Sequence, residues 1–434
     1  MKLQIEKAVY GGSCLAHQSE DAEAGKAVFV PFTLPGEIVQ AHLMGEKSGF
    51  AEASLQQVLT ASEDRVQARC THFGECGGCQ YQHANYSAQI KMKTAILQET
   101  LERAGLSELP EIQIHTGQPW EYRNRVRMRV AIVDSVFRVG YNRRSSNEFL
   151  PIQECPISAP LLWRAAAAIP QIASEDSLAG RWTQRVTEVE FFINEDEKKL
   201  QASLFLKKDQ AGFKEFCDRM KDLIPELIGA GVFLLPSSGT QRRAQKPRSL
   251  STWGAEGLSY RAADESYWIS RGGFFQVNRS LMDELIHIVS SERQGTLAWD
   301  LYAGVGLFSR VLTRGFKLVV AVEVAGEDLA RSFKGPGRHA VEATTLDFLR
   351  SAVIQRERPD LIVMDPPRAG IGAEVCVLLG RIAAPRIVYV SCDPVTLARD
   401  LKMLIDVGYT FEELHMVDMF PQTFHLETVV VLRK

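Results

Sequence analysis

The chain has 434 residues, 45% hydrophobic and 24% charged, enough apolar material for two or three ordinary folded domains. Its longest apolar runs, such as residues 227–235, are far too short to span a bilayer, and residues 1–12 lack the apolar stretch of an export signal. A cytoplasmic protein without a membrane partner is expected. The formal net charge of −3 gives no global pull toward a polyanion, so nucleic acid would have to be held by local patches. Eight cysteines without an export signal argue for thiols or metal ligands rather than a disulfide framework.

Residues 1–60 read as short strands broken by turn signals: Gly11-Gly12, an acidic loop around residues 20–25, a strand over 27–32, the turn Leu34-Pro35-Gly36-Glu37 and a strand over 38–43. This pattern predicts a small OB-like β-barrel, which could bind oligonucleotides or be a plain structural module. The segments Gly11-Gly12, Phe29-Val30-Pro31-Phe32 and Leu34-Pro35-Gly36-Glu37 resemble the TRAM domain, an RNA-binding barrel of RNA-modifying enzymes.

Residues 61–264 mix strands and helices and are expected to form an α+β middle domain. Cys70, Cys76 and Cys79 cluster at its start, and Cys155 follows later, before Pro156. Between them, Arg123, Arg125, Arg127 and Arg129 alternate with Asn124 and the apolar Val126, Met128 and Val130. On a strand, alternation puts the arginines on one face. That ridge would suit phosphates or form a solvated sheet face, and Arg138, Arg143, Arg144, Arg242, Arg243, Lys246 and Arg248 tilt the reading toward RNA.

From residue 265 to 434, apolar strands at 297–299, 318–322, 361–364 and 387–390 alternate with helical segments. An α/β, doubly wound, Rossmann-like sheet is expected, with ligands at the carboxyl ends of its strands. The first strand runs into Asp300-Leu301-Tyr302-Ala303-Gly304-Val305-Gly306-Leu307-Phe308-Ser309, and the next ends at Glu323. Two glycines permit close backbone approach to a ligand, and an acidic residue about twenty positions on suits a ribose diol. Ser309 replaces the third glycine of a dinucleotide fingerprint, which disfavours NAD and suits S-adenosylmethionine; a glycine turn without a ligand is the alternative. Asp365-Pro366-Pro367-Arg368 ends a later strand, where the prolines would hold the carboxylate at the cofactor cleft or simply make a turn.

Ser391-Cys392-Asp393-Pro394 follows the next strand. Asp393 can cap a helix with Pro394 in its first turn, placing Cys392 where the helix dipole favours thiolate. Carbon 5 of uracil is a weak nucleophile, but thiolate addition at carbon 6 gives an enolate whose charge reaches carbon 5. After methyl transfer, a base must remove the carbon 5 proton before the cysteine can leave. Glu427, at the start of an apolar strand, is either that base or an ordinary exposed strand glutamate.

Phe274-Phe275-Gln276-Val277-Asn278, the glycine turn, Asp365-Pro366-Pro367-Arg368, Ser391-Cys392-Asp393-Pro394 and His425-Leu426-Glu427 occur in the order seen in RNA uracil-5-methyltransferases, and the resemblance covers nearly the whole chain. It implies that Gln276, Tyr302, Glu323 and Asp365 contact S-adenosylmethionine, that Cys392 is the nucleophile and that Glu427 removes the proton. Ala303 and Leu307 depart from the family pattern, where a cysteine and a polar residue are common. Four cysteines suit zinc or an iron-sulfur cluster. Here three cluster and the fourth stands alone, unlike the paired zinc form, and the resemblance implies a 4Fe-4S cluster on Cys70, Cys76, Cys79 and Cys155. Cys14, Cys217 and Cys376 are left as structural.

The expected partner is RNA, and the expected state a monomer. The barrel and cysteines resemble the 23S ribosomal branch, whereas transfer RNA enzymes usually lack both. A cytosine-5 enzyme characteristically carries a cysteine after its Asp-x-Pro turn; Arg368 stands there instead. A non-catalytic RNA-binding assembly factor could have lost Cys392 or Glu427, and both are present.

Overall fold

The computed structural model describes residues 1–17, 25–235 and 248–434. Most of the acidic loop around residues 20–25, together with Arg242, Arg243 and Lys246, lies outside the described residues. Among the described residues no helix is long and apolar enough to cross a membrane.

Five strands, β1 (Lys2–Ala8), β2 (Ser13–His17), β3 (Ala27–Pro31), β4 (Ile38–Glu46) and β5 (Phe50–Thr60), close a barrel in the order β1-β2-β3-β5-β4. Alternation fills its interior with Leu3, Ile5, Ala16, Val28, Val30, Val39 and Ala41. Glu37 is fully buried because its carboxylate accepts from the amides of Leu34 and Ser62 and pairs with Arg65 at 2.5 Å. The glutamate of the TRAM-like turn is therefore a structural clasp.

Next come α1 (Tyr86–Arg103), β6 (Ile112–His115), β7 (Arg125–Val133), β8 (Val136–Asn142), β9 (Phe149–Pro151), α2 (Pro160–Ala173), α3 (Leu178–Thr183), β10 (Val186–Ile193), β11 (Leu200–Leu206), α4 (Phe213–Leu223), β12 (Leu227–Leu234) and β13 (Arg248–Gly254). Seven of these strands form a sheet in the order β13-β12-β11-β10-β7-β8-β9. Val126, Met128, Val189 and Phe191 pack on one side against Leu162, Ile169, Trp182 and Phe216 of the three helices. The arginines of β7 point to the opposite face, as the alternation predicts.

The ridge nevertheless differs from the expected row of free guanidinium groups. Arg125 is half-buried, pairs with Glu190 at 3.4 Å and lies over Phe192. Arg127 pairs with Glu188 at 2.8 Å and lies over Phe205, and Arg129 donates to Asn142 and to the carbonyl of Asn147. Arg123 precedes the strand and is held by an isolated bridge to Ser158. The adjacent strand β10 carries its carboxylates on the same face, in register with the arginines, so much of the positive charge is met within the sheet.

The rest of the chain supplies β14 (Gly257–Ala262), β15 (Glu265–Ser270), α5 (Met282–Ser290), β16 (Gly295–Leu301), α6 (Leu307–Leu312), β17 (Phe316–Glu323), α7 (Glu327–Ser332), β18 (Arg338–Glu342), α8 (Thr345–Gln355), β19 (Leu361–Met364), α9 (Gly372–Ile382), β20 (Arg386–Ser391), α10 (Pro394–Asp406), β21 (Thr410–Val417) and β22 (Glu427–Arg433). The sheet order is β18-β17-β16-β19-β20-β22-β21-β6, with β16 to β20 parallel and β22 antiparallel to both neighbours. This is the expected Rossmann-like sheet. Strand β6, from the preceding segment, extends its edge, and α1 packs against α10. The order reverses between β16 and β19, and a ligand cleft forms at such a switch point.

Candidate active site

After β16, Tyr302, Gly304 and Gly306 adopt φ of 62°, 56° and 85°, the left-handed conformations that fold the chain back under the sheet edge. The amide of Ala303 donates to the carbonyl of Val322, and the amide of Gly304 donates to Glu323 at 2.9 Å. Glu323 thereby ties the ends of β16 and β17 together while standing at the position expected of a ribose ligand. Tyr302 hydrogen bonds with Thr345 at the start of α8. Asp300 lies beneath the turn, fully buried, accepting from Ser309; burial raises its carboxyl to about 7. The family departures Ala303 and Leu307 are both buried in apolar packing, so their side chains serve the wall of the turn.

Gln276 brings a second segment to this cleft. Its side-chain amide donates to Asp365 at 3.1 Å, and its carbonyl accepts from Asn124. Asp365 is raised to about 7, by burial and then by the negative charge of Asp300, against the amide donation from Gln276. Phe275 packs among Tyr260, Tyr267 and Phe192, whereas its neighbour Phe274 is 71% exposed.

Asp393 caps α10 by accepting from the amides of Val395 and Thr396, both at 3.0 Å. The cap is as expected, but the thiolate is not. The half-buried thiol of Cys392 is pushed up to about 11, by burial first and then by the negative charges of Glu427 and Asp365. Desolvation and two carboxyl groups outweigh the helix dipole. The opposing cation is Arg368, which hydrogen bonds to Cys392 and also donates to His425 at 3.3 Å. No role was assigned to Arg368 from sequence, although it ends the Asp-Pro-Pro motif. Its backbone carbonyl is held by Thr396 at 2.9 Å, so the motif turn and the Cys392 loop are fastened to each other.

Glu427 is 2% exposed, which excludes the exposed-strand alternative. Burial, together with the charge of Asp365, raises its carboxyl well above the ordinary range, and Arg368 works against this. Strands β20 and β22 are antiparallel and their pairing ends with Ser391 opposite Thr428; Cys392 follows Ser391 and Glu427 precedes Thr428, which brings the two side chains close enough for their charges to interact. The loop leading to Glu427 is anchored by α1. Lys93 and Asp418 form a fully buried pair at 2.5 Å, and Gln89 holds Gln422 through both its backbone amide and its side chain.

Cys70, Cys76, Cys79 and Cys155 are all reduced and lie close enough for their charges to interact: Cys155 with each of the other three, and Cys76 with Cys70 and Cys79. Among the described residues, no group of three or more His, Cys, Asp or Glu side chains is arranged to hold a metal ion. Beside the thiols, the guanidinium of Arg123 has a buried Nε without a hydrogen-bond partner. The chain after Cys79 reaches the active-site loop directly, since the amides of Gln80 and Tyr81 both donate to the carbonyl of Gln422.

Comparison with known proteins decides the family. Over its whole length the chain is 32% identical to a protein named as an RNA methyltransferase of Aquifex aeolicus, covering 98% of that protein. It is 31% identical, over 94% of its length, to the 23S rRNA (uracil(1939)-C(5))-methyltransferase RlmD of Pectobacterium atrosepticum, covering 89% of it. Residues 340–434 match the family described as tRNA (Uracil-5-)-methyltransferase. The chain belongs to the RNA uracil-5-methyltransferase family. The fold agrees with that of the Pyrococcus abyssi tRNA (uracil-54, C5)-methyltransferase, solved in complex with S-adenosyl-L-homocysteine, at a TM-score of 0.76 and 22% identity, covering 99% of both chains. In this RNA uracil-5-methyltransferase the family-matched segment starts within β18 and includes Asp365, Arg368, Cys392 and Glu427, the residues that crowd around one thiol.

Proposed function

We propose that the protein methylates carbon 5 of a uridine in 23S ribosomal RNA, with S-adenosylmethionine as methyl donor and through a covalent adduct on Cys392. The observation that carries this reading is the convergence of Glu427, Asp365 and Arg368 on the Cys392 thiol, beside the Gln276–Asp365 contact and the glycine turn. Gln276, Tyr302, Glu323 and Asp365 are assigned to the cofactor.

Cys392 gives its proton to solvent with Arg368 stabilising the thiolate, and its sulfur bonds to carbon 6 of the uracil. The displaced electron pair reaches carbon 5; S-adenosylmethionine held in the cleft would supply the methyl group that bonds there, its sulfur–methyl bond breaking to leave S-adenosylhomocysteine. Glu427, ionised at that stage, takes the carbon 5 proton; the electron pair released re-forms the ring double bond as the bond between sulfur and carbon 6 breaks. A buried carboxyl with a raised pKa suits this step, because a base is most effective when its pKa approaches the operating pH.

Ribosomal RNA as substrate is supported by the 31% identity to RlmD over 94% of the chain. The family model described for transfer RNA matches residues 340–434, which hold Asp365, Arg368, Cys392 and Glu427, while the fold of a transfer RNA enzyme is shared over 99% of the chain, so the preference for ribosomal RNA rests on the sequence identity to RlmD. RNA contact is assigned to the barrel of residues 1–60 and the middle domain of residues 61–264, and cofactor and chemistry to residues 265–434. Unmodified 23S and transfer RNA transcripts, incubated with enzyme and labelled S-adenosylmethionine, test this directly. 5-Methyluridine should form in the ribosomal transcript; formation only in transfer RNA would overturn the assignment.

Cys70, Cys76, Cys79 and Cys155 are assigned to a 4Fe-4S cluster. Four thiolates carry negative charge, and the Arg123 guanidinium beside them, whose buried Nε has no hydrogen-bond partner, fits an anionic group at that place. Uracil methylation transfers no net electrons, so the cluster's role is to fold the 70–79 loop, whose continuation holds Gln422. Anaerobically purified protein should contain iron and acid-labile sulfide; stoichiometric zinc without sulfide would contradict the assignment.

A further inference from the structure

The first turn of the barrel reaches the reacting groups. Tyr10 lies between β1 and β2, and its hydroxyl donates to Asp393 at 3.2 Å, across 383 residues of sequence. The Asp393 carboxylate is thereby divided. One oxygen caps α10 through Val395 and Thr396, and the other accepts from the barrel. The Tyr10 ring meets Phe424 edge-on at 5.3 Å, and Phe424 in turn packs on His425, the partner of Arg368. Gly12, at φ 90°, sits so close that a Cβ would come within 2.8 Å of Gln80 and 3.3 Å of Phe424. One short turn therefore touches both the loop of the nucleophile and the loop of the base.

On the barrel side, the exposed face of the first turn of α10 borders open space. A cavity of about 420 Å³ separates the barrel, α1 and α10, lined by Val9, Tyr10, Ile96, Val395 and Ala398 among others, and Val395 is 55% exposed. With this space behind it, the first turn of α10 has room to shift, and Cys392 would move with it.

We propose that Tyr10 is a positioning residue that ties the barrel to the nucleophile loop, so that the barrel contributes to the chemical step as well as to RNA binding. This rests on the reading of Cys392 as nucleophile. The ring alone accounts for the contact with Phe424; the hydroxyl serves Asp393. Hydrogen bonds to charged groups are strong enough that losing this one should slow a reaction depending on it about tenfold to a hundredfold.

The test uses the full chain with Tyr10→Phe, which keeps the ring packed on Phe424 and so preserves the fold. With saturating 23S transcript and S-adenosylmethionine, kcat should fall by that factor while KM for RNA stays the same. The rate of Cys392 alkylation by iodoacetamide, measured without RNA, should move to higher pH, because Asp393 regains the negative charge that the hydroxyl offsets. A kcat within about twofold of the wild type, whatever happens to KM, overturns the proposal. If wild-type enzyme methylates neither ribosomal nor transfer RNA transcripts, the functional reading fails instead. The alkylation profile then decides alone, and an unmoved profile overturns the tie.

Discussion

Cys392 and Glu427 flank the last pair of two antiparallel strands, Ser391 with Thr428, and lie close enough that the charge of Glu427 acts on the thiol. The sheet thus holds the two groups together, and both rest with raised pKa values beside Arg368 and Asp365. Two neighbouring acids that both resist ionisation fit the proposed reading, in which Cys392 ionises only when its target base is at hand.

This arrangement predicts how the free thiol reacts. With the thiol raised to about 11, thiolate becomes more abundant as pH rises through the neutral range, so alkylation of Cys392 should grow about tenfold per pH unit between about pH 7 and 9. Arg368→Ala removes the cation opposing that shift, so the pKa should climb further and alkylation at fixed pH slow about tenfold or more. Peptide mass spectrometry of time-quenched samples measures both. Equal or faster alkylation of the variant would show that Arg368 does not stabilise the thiolate.

The Lys93–Asp418 pair anchors the loop ahead of Glu427 from the far side, and both side chains are fully buried. Lys93→Met leaves an uncompensated carboxylate and should cost about 3–5 kcal/mol in denaturant unfolding. Lys93→Met combined with Asp418→Leu should recover most of that loss. If the double variant is as unstable as the single, the cost comes from packing rather than from the stranded charge.

The arginines of β7 should behave unequally in RNA binding. Arg125 is committed to Glu190 and Phe192, so Arg125→Ala should leave the salt dependence of binding to a 23S transcript unchanged. Arg127 is 46% exposed and can exchange Glu188 for a phosphate, so Arg127→Ala should lower the slope by at most about one. A drop of about one on replacing Arg125 would make it a phosphate ligand.

Local sequence carries much of this architecture because its strands and turns declare themselves by periodicity and by glycine and proline. The residues of β19 coincide with the expected strand, and the Asp393 cap is where the Asp-Pro pair predicts it. The burial of Glu427 and its closeness to Cys392 were not legible, since one residue gives no sign of the register between β20 and β22. The thiol was misjudged for a related reason: a helix cap is local, whereas desolvation and the charges of Glu427 and Asp365 come from residues 27 or more positions away. The arginine ridge shows the same limit. Alternation gives the face correctly, but Glu188 and Glu190, which meet its charge, belong to another strand.

The central claim is that Cys392 and Glu427 act at opposite ends of one covalent pathway, so their replacements should fail differently. Cys392→Ala should bind RNA and cofactor yet form no adduct. Glu427→Gln can still add the cysteine and accept the methyl group, but cannot readily remove the carbon 5 proton, so enzyme should accumulate on methylated RNA. The deciding measurement is a denaturing gel of each variant with substrate RNA and methyl-labelled S-adenosylmethionine. The account predicts a slow, methyl-labelled protein–RNA band for Glu427→Gln that is absent from the double variant with Cys392→Ala. Normal turnover by Glu427→Gln, or methylation by Cys392→Ala, would contradict it.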